Sequence, residues 1–344
     1  MIFNNNKTLI VAEISANHNG SLQRAIDIIT AAAESGADAI KLQTYTADTL
    51  TIDCDNEYFK IKGTQWAGKS LYELYSKAFT PWEWHQELFD HAKSLGLTAF
   101  STPFDNTAVD FLETLHVPCH KVASFELVDI PLLRKIGSTG KPVIMSTGMA
   151  TLEEITEAVE TLRNSGCNDL TLLKCTSAYP AKPKDANLRT IPNMKERFDC
   201  RVGLSDHTMG IAVPIAAVAL GAKVIEKHFT ISRKEIGPDS NFSLEPEEFN
   251  DMVNTIRAVD AALGDITYFS PDAETETRKL RRSLFAVKDI KEGEPFTSKN
   301  VRSIRPGYGL PPGEQDKVMQ SIAKCDIRKG TPLTHSLLMK SKQH

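Results

Sequence analysis

Leu9-Ile-Val-Ala-Glu-Ile-Ser15 is a short run of branched apolar residues that turns polar at its end. Seven more runs of this kind follow: Ala39–Thr44 (AIKLQT), Leu97–Thr102 (LTAFST), His120–Glu126 (HKVASFE), Pro142–Gly148 (PVIMSTG), Leu170–Ser177 (LTLLKCTS), Arg201–Asp206 (RVGLSD) and Lys223–Thr230 (KVIEKHFT). Short runs rich in Val, Ile and Leu read as strands buried on both faces, the mark of a parallel sheet. Amphipathic helical stretches separate them. Ser21–Ser35 is apolar at Leu22, Ala25, Ile26, Ile29 and Ala33 and stops at Gly36, a C-cap. Thr151–Asn164 opens with a Thr followed three residues later by Glu154, a capping box. Pro81–Leu95 ends before Gly96, and Met209–Leu220 before Gly221. Glu245–Leu263 has Pro246 in its first turn and stops at Gly264. Strands alternating with helices over about 260 residues predict an α/β fold, a (β/α)8 barrel. The runner-up, an open doubly wound sheet, is weakened because no Gly-x-Gly-x-x-Gly follows the first strand.

The chain of 344 residues is long enough for such a barrel and a small second domain. With 41% hydrophobic and 24% charged residues, its composition is neither that of a disordered chain nor that of a membrane protein. A net charge of −4 argues against a dedicated nucleic-acid binder. The charge is uneven, with 14 Lys/Arg against six Asp/Glu in residues 279–344 and 26 against 38 in residues 1–278. A basic tail of this kind reads first as a solvated face. The six cysteines form no Cys-x-x-Cys pair and suggest reduced, mostly buried thiols. The opening segment Met1–Lys7 lacks a basic stretch followed by a long apolar run, and no run approaches the ~18–20 residues of a membrane span. A cytoplasmic protein is expected, with no membrane partner.

Tyr45–Thr80 is long for a strand-to-helix connection, and long loops tend to be functional. Its aromatics Tyr58, Phe59, Trp66, Tyr72 and Tyr75 suggest a packed lid with a short helix near Ser70–Ala78. The expected division is a barrel over 1–266, a polar linker over 267–282 and a small, mainly β domain over 283–344. Ser283–Val287, Val301–Ile304 and Ser321–Cys325 are its strand-like pieces.

Active sites of such barrels gather at the C-terminal strand ends. Polar groups collect there: Glu13, Asn17 and His18; Lys41 and Gln43; Ser101 and Thr102; Lys121, Ser124 and Glu126. Ser146 and Thr147, then Lys174, Thr176, Ser177 and Tyr179, then Ser205, Asp206 and His207, then Glu226 and His228 follow. Polar groups inside apolar strands are costly unless paired, so this many at one mouth read as a pocket. Lys41 and Lys121, with Thr102, Ser124, Ser146 and Ser205, suit an oxyanion such as phosphate. His207 and His228 end adjacent strands and could share a divalent metal, with Asp206 and Glu226 nearby. Glu13 and Glu126 are candidate general acid/bases. Lys41, Lys121 and Lys174 would each also suit a Schiff-base aldolase. A non-catalytic sugar-binding protein is the alternative of another class.

The chain resembles the sialic acid synthase family over nearly its whole length. The likeness is carried by Ala12-Glu-Ile-Ser-Ala-Asn-His18, Lys41-Leu-Gln-Thr44, Ser101-Thr-Pro-Phe104, Lys121-Val-Ala-Ser-Phe-Glu126 and Ser146-Thr-Gly-Met149. Gly203-Leu-Ser-Asp-His207, Ile225-Glu-Lys-His-Phe229 and Arg305-Pro-Gly307 complete it. Within the family, Gln43–Leu50, Leu71–Tyr75, Thr80–His85 and Leu173–Pro180 point to members that use a diacetamido-trideoxy hexose. The resemblance implies a TIM barrel followed by an antifreeze-like (SAF) domain, and a domain-swapped homodimer. It implies condensation of phosphoenolpyruvate with an open-chain acetamido sugar, with Mn2+ or Mg2+ as cofactor. Phosphoenolpyruvate contacts would fall on Lys41, Thr102, Lys121, Ser124, Ser146 and Ser205. His207 and His228 would hold the metal, and Glu13 or Glu126 would move protons. Tyr179, Asp239 and a partner copy's Arg305 would meet the sugar. Relatives often carry Asn at the position of Ser177. N-acetylneuraminic or legionaminic acid synthesis, from N-acetylmannosamine or a related sugar, is the alternative within the family.

Overall fold

Each apolar run forms a strand: β1 (Leu9–Glu13), β2 (Ala39–Thr44), β3 (Thr98–Pro103), β4 (His120–Val122), β5 (Val143–Ser146), β6 (Leu170–Cys175), β7 (Arg201–Asp206) and β8 (Val224–His228). They pair in parallel in chain order, and β8 pairs back on β1 to close the barrel. The open sheet is thereby excluded. The structure, a computed structural model, describes residues 7–62, 67–268 and 272–340. Trp66 of the expected lid lies outside the described residues, as do residues 1–6 of the opening segment and 269–271 of the linker. The chain divides into two compact units, Met1–Gly264 and Asp265–His344.

Side chains alternate across a strand, which explains how the site is supplied. Leu9 and Val11 of β1, Phe100 of β3, Ile144 of β5 and Val224 of β8 belong to one apolar cluster inside the barrel. The opposite faces, such as Ile10, Ala12, Ile40 and Leu42, pack outward with helix residues such as Ile28, Ile29 and Ile256 in a second cluster. Two residues beyond the inner apolar positions, the same face delivers Glu13, Lys41, Lys121, Ser146 and Glu226. The barrel therefore has an apolar floor and a charged upper layer.

The expected helices form within a few residues of their sequence limits. Ser21 caps Leu22–Glu34, and Thr151 with Glu154 makes the capping box of Leu152–Asn164. Three nine-residue helices were not singled out in sequence: Asn106–Thr114, Ile130–Ser138 and Thr190–Phe198. They are short, and two carry a proline in the first turn, which weakens the apolar period. Gly137 is required where Ile130–Ser138 meets Leu152–Asn164. A Cβ there would stand 2.7 Å from Ser165 Cβ and 2.9 Å from the Leu162 carbonyl.

In the second unit β9 (Ser283–Ala286) pairs antiparallel with β10 (Val301–Ile304), and β11 (Ser321–Ala323) with β12 (Leu338–Lys340). This unit has its own core, which includes Leu284, Phe296, Val301 and Leu333. All six cysteines are free. Cys119, Cys167 and Cys175 are buried, Cys54 and Cys200 partly so, and Cys325 is exposed. No helix among the described residues is long and apolar enough to cross a membrane.

Candidate active site

The charged layer is a four-membered network. Glu13 and Lys41 are cross-strand partners of β1 and β2, and Lys41 Nζ lies 2.6 Å from Glu13 Oε2. Glu226 Oε1 sits 3.8 Å from Lys41 Nζ and 3.7 Å from Lys121 Nζ, and it accepts a hydrogen bond from Ser205 at 3.0 Å. Glu13 and Lys121 are each 1% exposed, Lys41 4% and Glu226 6%. Charges this deep are tolerable only as a mutually compensating set. Burial raises the pKa of Glu13, and Lys41 offsets this only in part. Burial acts the same way on Glu226, but Lys121 and Lys41 outweigh it and hold that carboxyl below its usual value. Glu226 is therefore the anion of the pair. Burial pulls Lys41 down, yet Glu13 and Glu226 leave it above its ordinary value; burial prevails at Lys121 and lowers it. Glu13 is thus the more readily protonated of the two carboxyls, and a proton on it leaves Lys41 and Lys121 facing Glu226, an arrangement that favours an incoming anion.

Hydroxyls surround this charge. Lys121 Nζ donates to Ser146 Oγ at 2.7 Å, and Lys41 Nζ to Thr102 Oγ1 at 3.4 Å. Gly148 N–H donates to Ser124 Oγ at 3.0 Å. A Cβ on Gly148 would stand 2.2 Å from Ser177 Oγ and 2.8 Å from Ser124 Oγ. Ser177 thus shares the hollow of Ser124, a position its identity alone did not secure.

Other mouth candidates are placed elsewhere. Lys174 has the opposite parity to Cys175, and its Nζ donates to the Cys175 carbonyl at 2.7 Å; it does not join the lysine pair. Asp206 also faces outward, bound to Lys227 Nζ at 2.5 Å and to Thr208. It does not stand with the histidines. Ser101 bonds Thr44 at 2.6 Å, Thr147 bonds the Leu173 carbonyl at 3.1 Å, and Asn17 ties the Phe229 carbonyl to Ser243. His18 packs on Trp84 and reaches Thr80. These are structural groups. Gln43 and Glu226, named at the mouth without a role of their own, and Cys175, which the motif reading did not single out, complete the inward layer. Counting alternate positions up β6 from the apolar floor finds Cys175.

The His207 and His228 rings stand 5.4 Å apart. His207 Nδ1 faces the Thr176 carbonyl at 3.0 Å, which can only accept, so Nδ1 carries a hydrogen and Nε2 is the nitrogen able to ligate. His228 Nδ1 is buried with no hydrogen-bond partner. Burial, with the His207 ring next to it, holds His228 well below its usual pKa, and hence neutral. Two imidazoles so oriented fit two positions of a divalent ion, with oxygen ligands needed for the rest. Among the described residues no group of three or more His, Cys, Asp or Glu side chains is arranged for a metal.

Beyond the histidines opens a cavity of about 430 Å3. Its polar side includes Gln43, Glu126, Tyr179 and Asp239. Gln43 donates to Glu13 at 3.0 Å and to Ser15 at 3.2 Å, and Ser15 donates to Asp239. Tyr179 leans on His207 with ring centres 4.4 Å apart. Burial pushes the Glu126 carboxyl up to about 7, and its Oε2 is buried without a partner. Arg305 belongs to the second unit and is exposed there. A second hollow, of about 570 Å3, is lined by Arg201, Lys223 and their neighbours near the N-terminal ends of β7 and β8, the end that does not carry chemistry in such barrels.

A closed parallel barrel whose mouth joins an anion cradle to a buried carboxyl of raised pKa has the make-up of a barrel enzyme. The chain belongs to the NeuB family, whose model matches residues 28–268, and residues 281–339 match the SAF domain. It is 46% identical to a pseudaminic acid synthase of Campylobacter jejuni, with 96% of each chain covered. It is 40% identical to the N,N'-diacetyllegionaminic acid synthase of the same species, over 94% of this chain and 98% of that one. Among solved structures it resembles the N-acetylneuraminic acid synthetase of Leptospira borgpetersenii in complex with citrate. That likeness has a TM-score of 0.71 and 31% identity, over 79% of this chain and 90% of the other.

Proposed function

We propose that the chain condenses phosphoenolpyruvate with 2,4-diacetamido-2,4,6-trideoxy-L-altrose and water to give pseudaminic acid and phosphate. The observation that supports this most directly is Glu13, a buried carboxyl whose pKa burial raises, paired with Lys41 at the edge of a lysine-and-hydroxyl cradle. The cradle holds the phosphate of phosphoenolpyruvate through Lys41, Lys121, Thr102, Ser124, Ser146 and Ser205. The enol carbon forms a bond to the sugar's aldehyde carbon. Water adds to the cationic carbon that results, and the tetrahedral intermediate expels phosphate with its bridging oxygen. The lysines therefore hold phosphate and need not activate phosphorus. Glu13 protonates the oxygen that becomes an alkoxide, and Glu126, poised near neutrality, accepts a proton from the added water. His207 and His228 would hold the divalent ion, Mn2+ or Mg2+, which supplies Lewis-acid polarisation of the aldehyde oxygen. A Schiff base would need a neutral amine; Glu13 and Glu226 outweigh burial at Lys41 and raise it, whereas burial lowers Lys121 and Lys174, so borohydride trapping decides that alternative.

Two copies form a domain-swapped homodimer in this proposal, the small unit of one bringing an Arg305 to the sugar of the other. The basic excess of residues 279–344 supports such a cap over an anionic product. Six free thiols and use of phosphoenolpyruvate fit the cytoplasm.

The test is phosphate release with phosphoenolpyruvate and a panel of hexoses. Release should require the trideoxy diacetamido sugar, stop on chelation, and carry a heavy-oxygen label from the bridging position into phosphate. Faster turnover of N-acetylmannosamine or of the legionaminic precursor would overturn the sugar assignment. Borohydride trapping of pyruvate on a lysine would overturn the reaction class.

A further inference from the structure

The cavity at the barrel mouth has two unlike sides. One carries the polar strand-end groups described above, with Phe104, Ala123 and Phe125 beside them. The other is built by the insert after β2, from Leu50, Ile61, Leu71, Leu74, Tyr75 and Ala78. This second side is preformed. Leu50 ends a short helix, Ala47–Leu50. Leu71, Leu74 and Ala78 share one face of the helix Leu71–Ala78, being three and four residues apart. Backbone hydrogen bonds of 3.0 Å to Lys69 and 3.2 Å from Gly68 fix Ile61. Tyr75 meets Tyr45 edge-on at 5.8 Å, and Tyr45 meets Phe104 at 5.1 Å. Leu50, Ile61 and Leu71 nonetheless remain partly exposed, and they face the cavity. An apolar surface left open beside a charged centre is complementary to an apolar part of the ligand.

We infer that this wall is the subsite for the methyl-bearing end of the acceptor sugar, and that it sets a preference for a 6-deoxy over a 6-hydroxy acceptor. The inference rests on the condensation proposed above, which fixes the aldehyde carbon beside Glu13 and sends the rest of the open chain outward. The far end of the sugar then meets the insert. A methyl group there is removed from water against Leu50, Ile61 and Leu71. A hydroxyl in its place loses water and finds no hydrogen-bond partner on those side chains. The discrimination is bounded, because an apolar pocket rejects an added hydroxyl by about 100-fold.

The experiment measures kcat/KM of the full-length enzyme for the diacetamido acceptor and for its 6-hydroxy analogue, in wild type, Leu71→Ser and Ile61→Ser. Wild type should prefer the 6-deoxy sugar by roughly 10–100-fold. Each variant should lose about tenfold of that preference through a higher KM for the 6-deoxy sugar, with KM for phosphoenolpyruvate unmoved. A wild-type ratio near one, or a ratio that survives both substitutions, overturns the role of the wall and leaves the condensation standing. Failure to condense either sugar overturns the condensation, and the wall's role with it. A melting curve checks each variant. Leu50→Ser, on the other helix, replaces any that does not fold.

Discussion

Glu226 shows how much one buried side chain can decide. Its Oε1 is the anion that both lysines face and Ser205 supports. Removing it leaves Lys41 and Lys121 with Glu13 as the one carboxyl of the network, and burial raises the pKa of that carboxyl. Glu226→Ala should therefore cost about 3–5 kcal/mol in denaturant unfolding, the usual penalty for breaking a buried ion pair. Inorganic phosphate should restore more stability to the variant than it adds to wild type, because it supplies the missing charge. Equal stabilisation of both proteins would contradict the role given to Glu226. Glu126 gives a pH-dependent counterpart. Its folded pKa of about 7 lies above the ordinary 4.5. As pH rises through that window the unfolded chain ionises first, so this residue withdraws stability from the fold, and the loss is complete above about pH 7. Glu126→Gln cannot titrate. Its melting temperature relative to wild type should thus rise between about pH 5 and pH 8, and a constant difference would refute the assignment.

Elements set the precision of the cradle. Gly148 follows β5 at the point where Ser124 and Ser177 converge, and only a residue without a Cβ leaves their hydroxyls in place. Gly148→Ala should raise KM for phosphoenolpyruvate by roughly tenfold while leaving KM for the sugar unchanged. Adding Ser177→Gly removes the closest clash and should recover part of the loss. At this scale much was legible in the sequence. The eight runs, their capped helices and the polar residues at their ends are local patterns, and local patterns survive in the fold. The misplacements on the strands have one cause. Lys174 and Asp206 lie one residue out of phase with Cys175 and His207, so the strand turns them outward. Three-residue β12 carries too little pattern to be found. The insert's wall joins Leu50, Ile61 and Leu71, which share no period along the chain; packing alone brings them together.

For the whole molecule, the uneven charge and the exposed Arg305 bear on assembly. If one copy caps the other, two inactive proteins should complement each other. Arg305→Ala keeps a working barrel, and Glu13→Gln keeps a working cap. Mixed and allowed to exchange subunits, they should regain about a quarter of the wild-type rate, since half the dimers would hold one complete site of two. No recovery after verified exchange would place the cap on its own barrel.

The apolar floor has a consequence for traffic. Leu9, Val11, Phe100 and Val224 close the barrel below the lysines, so the pocket has a single door. Whatever binds at the lysines must enter before the sugar and can leave only after the sugar acid has gone. Kinetics should accordingly be ordered. Phosphate should be the last product out and a competitive inhibitor against phosphoenolpyruvate, and the sugar acid should be non-competitive against it. Competitive inhibition by both products would mean that the dead-end pocket imposes no queue.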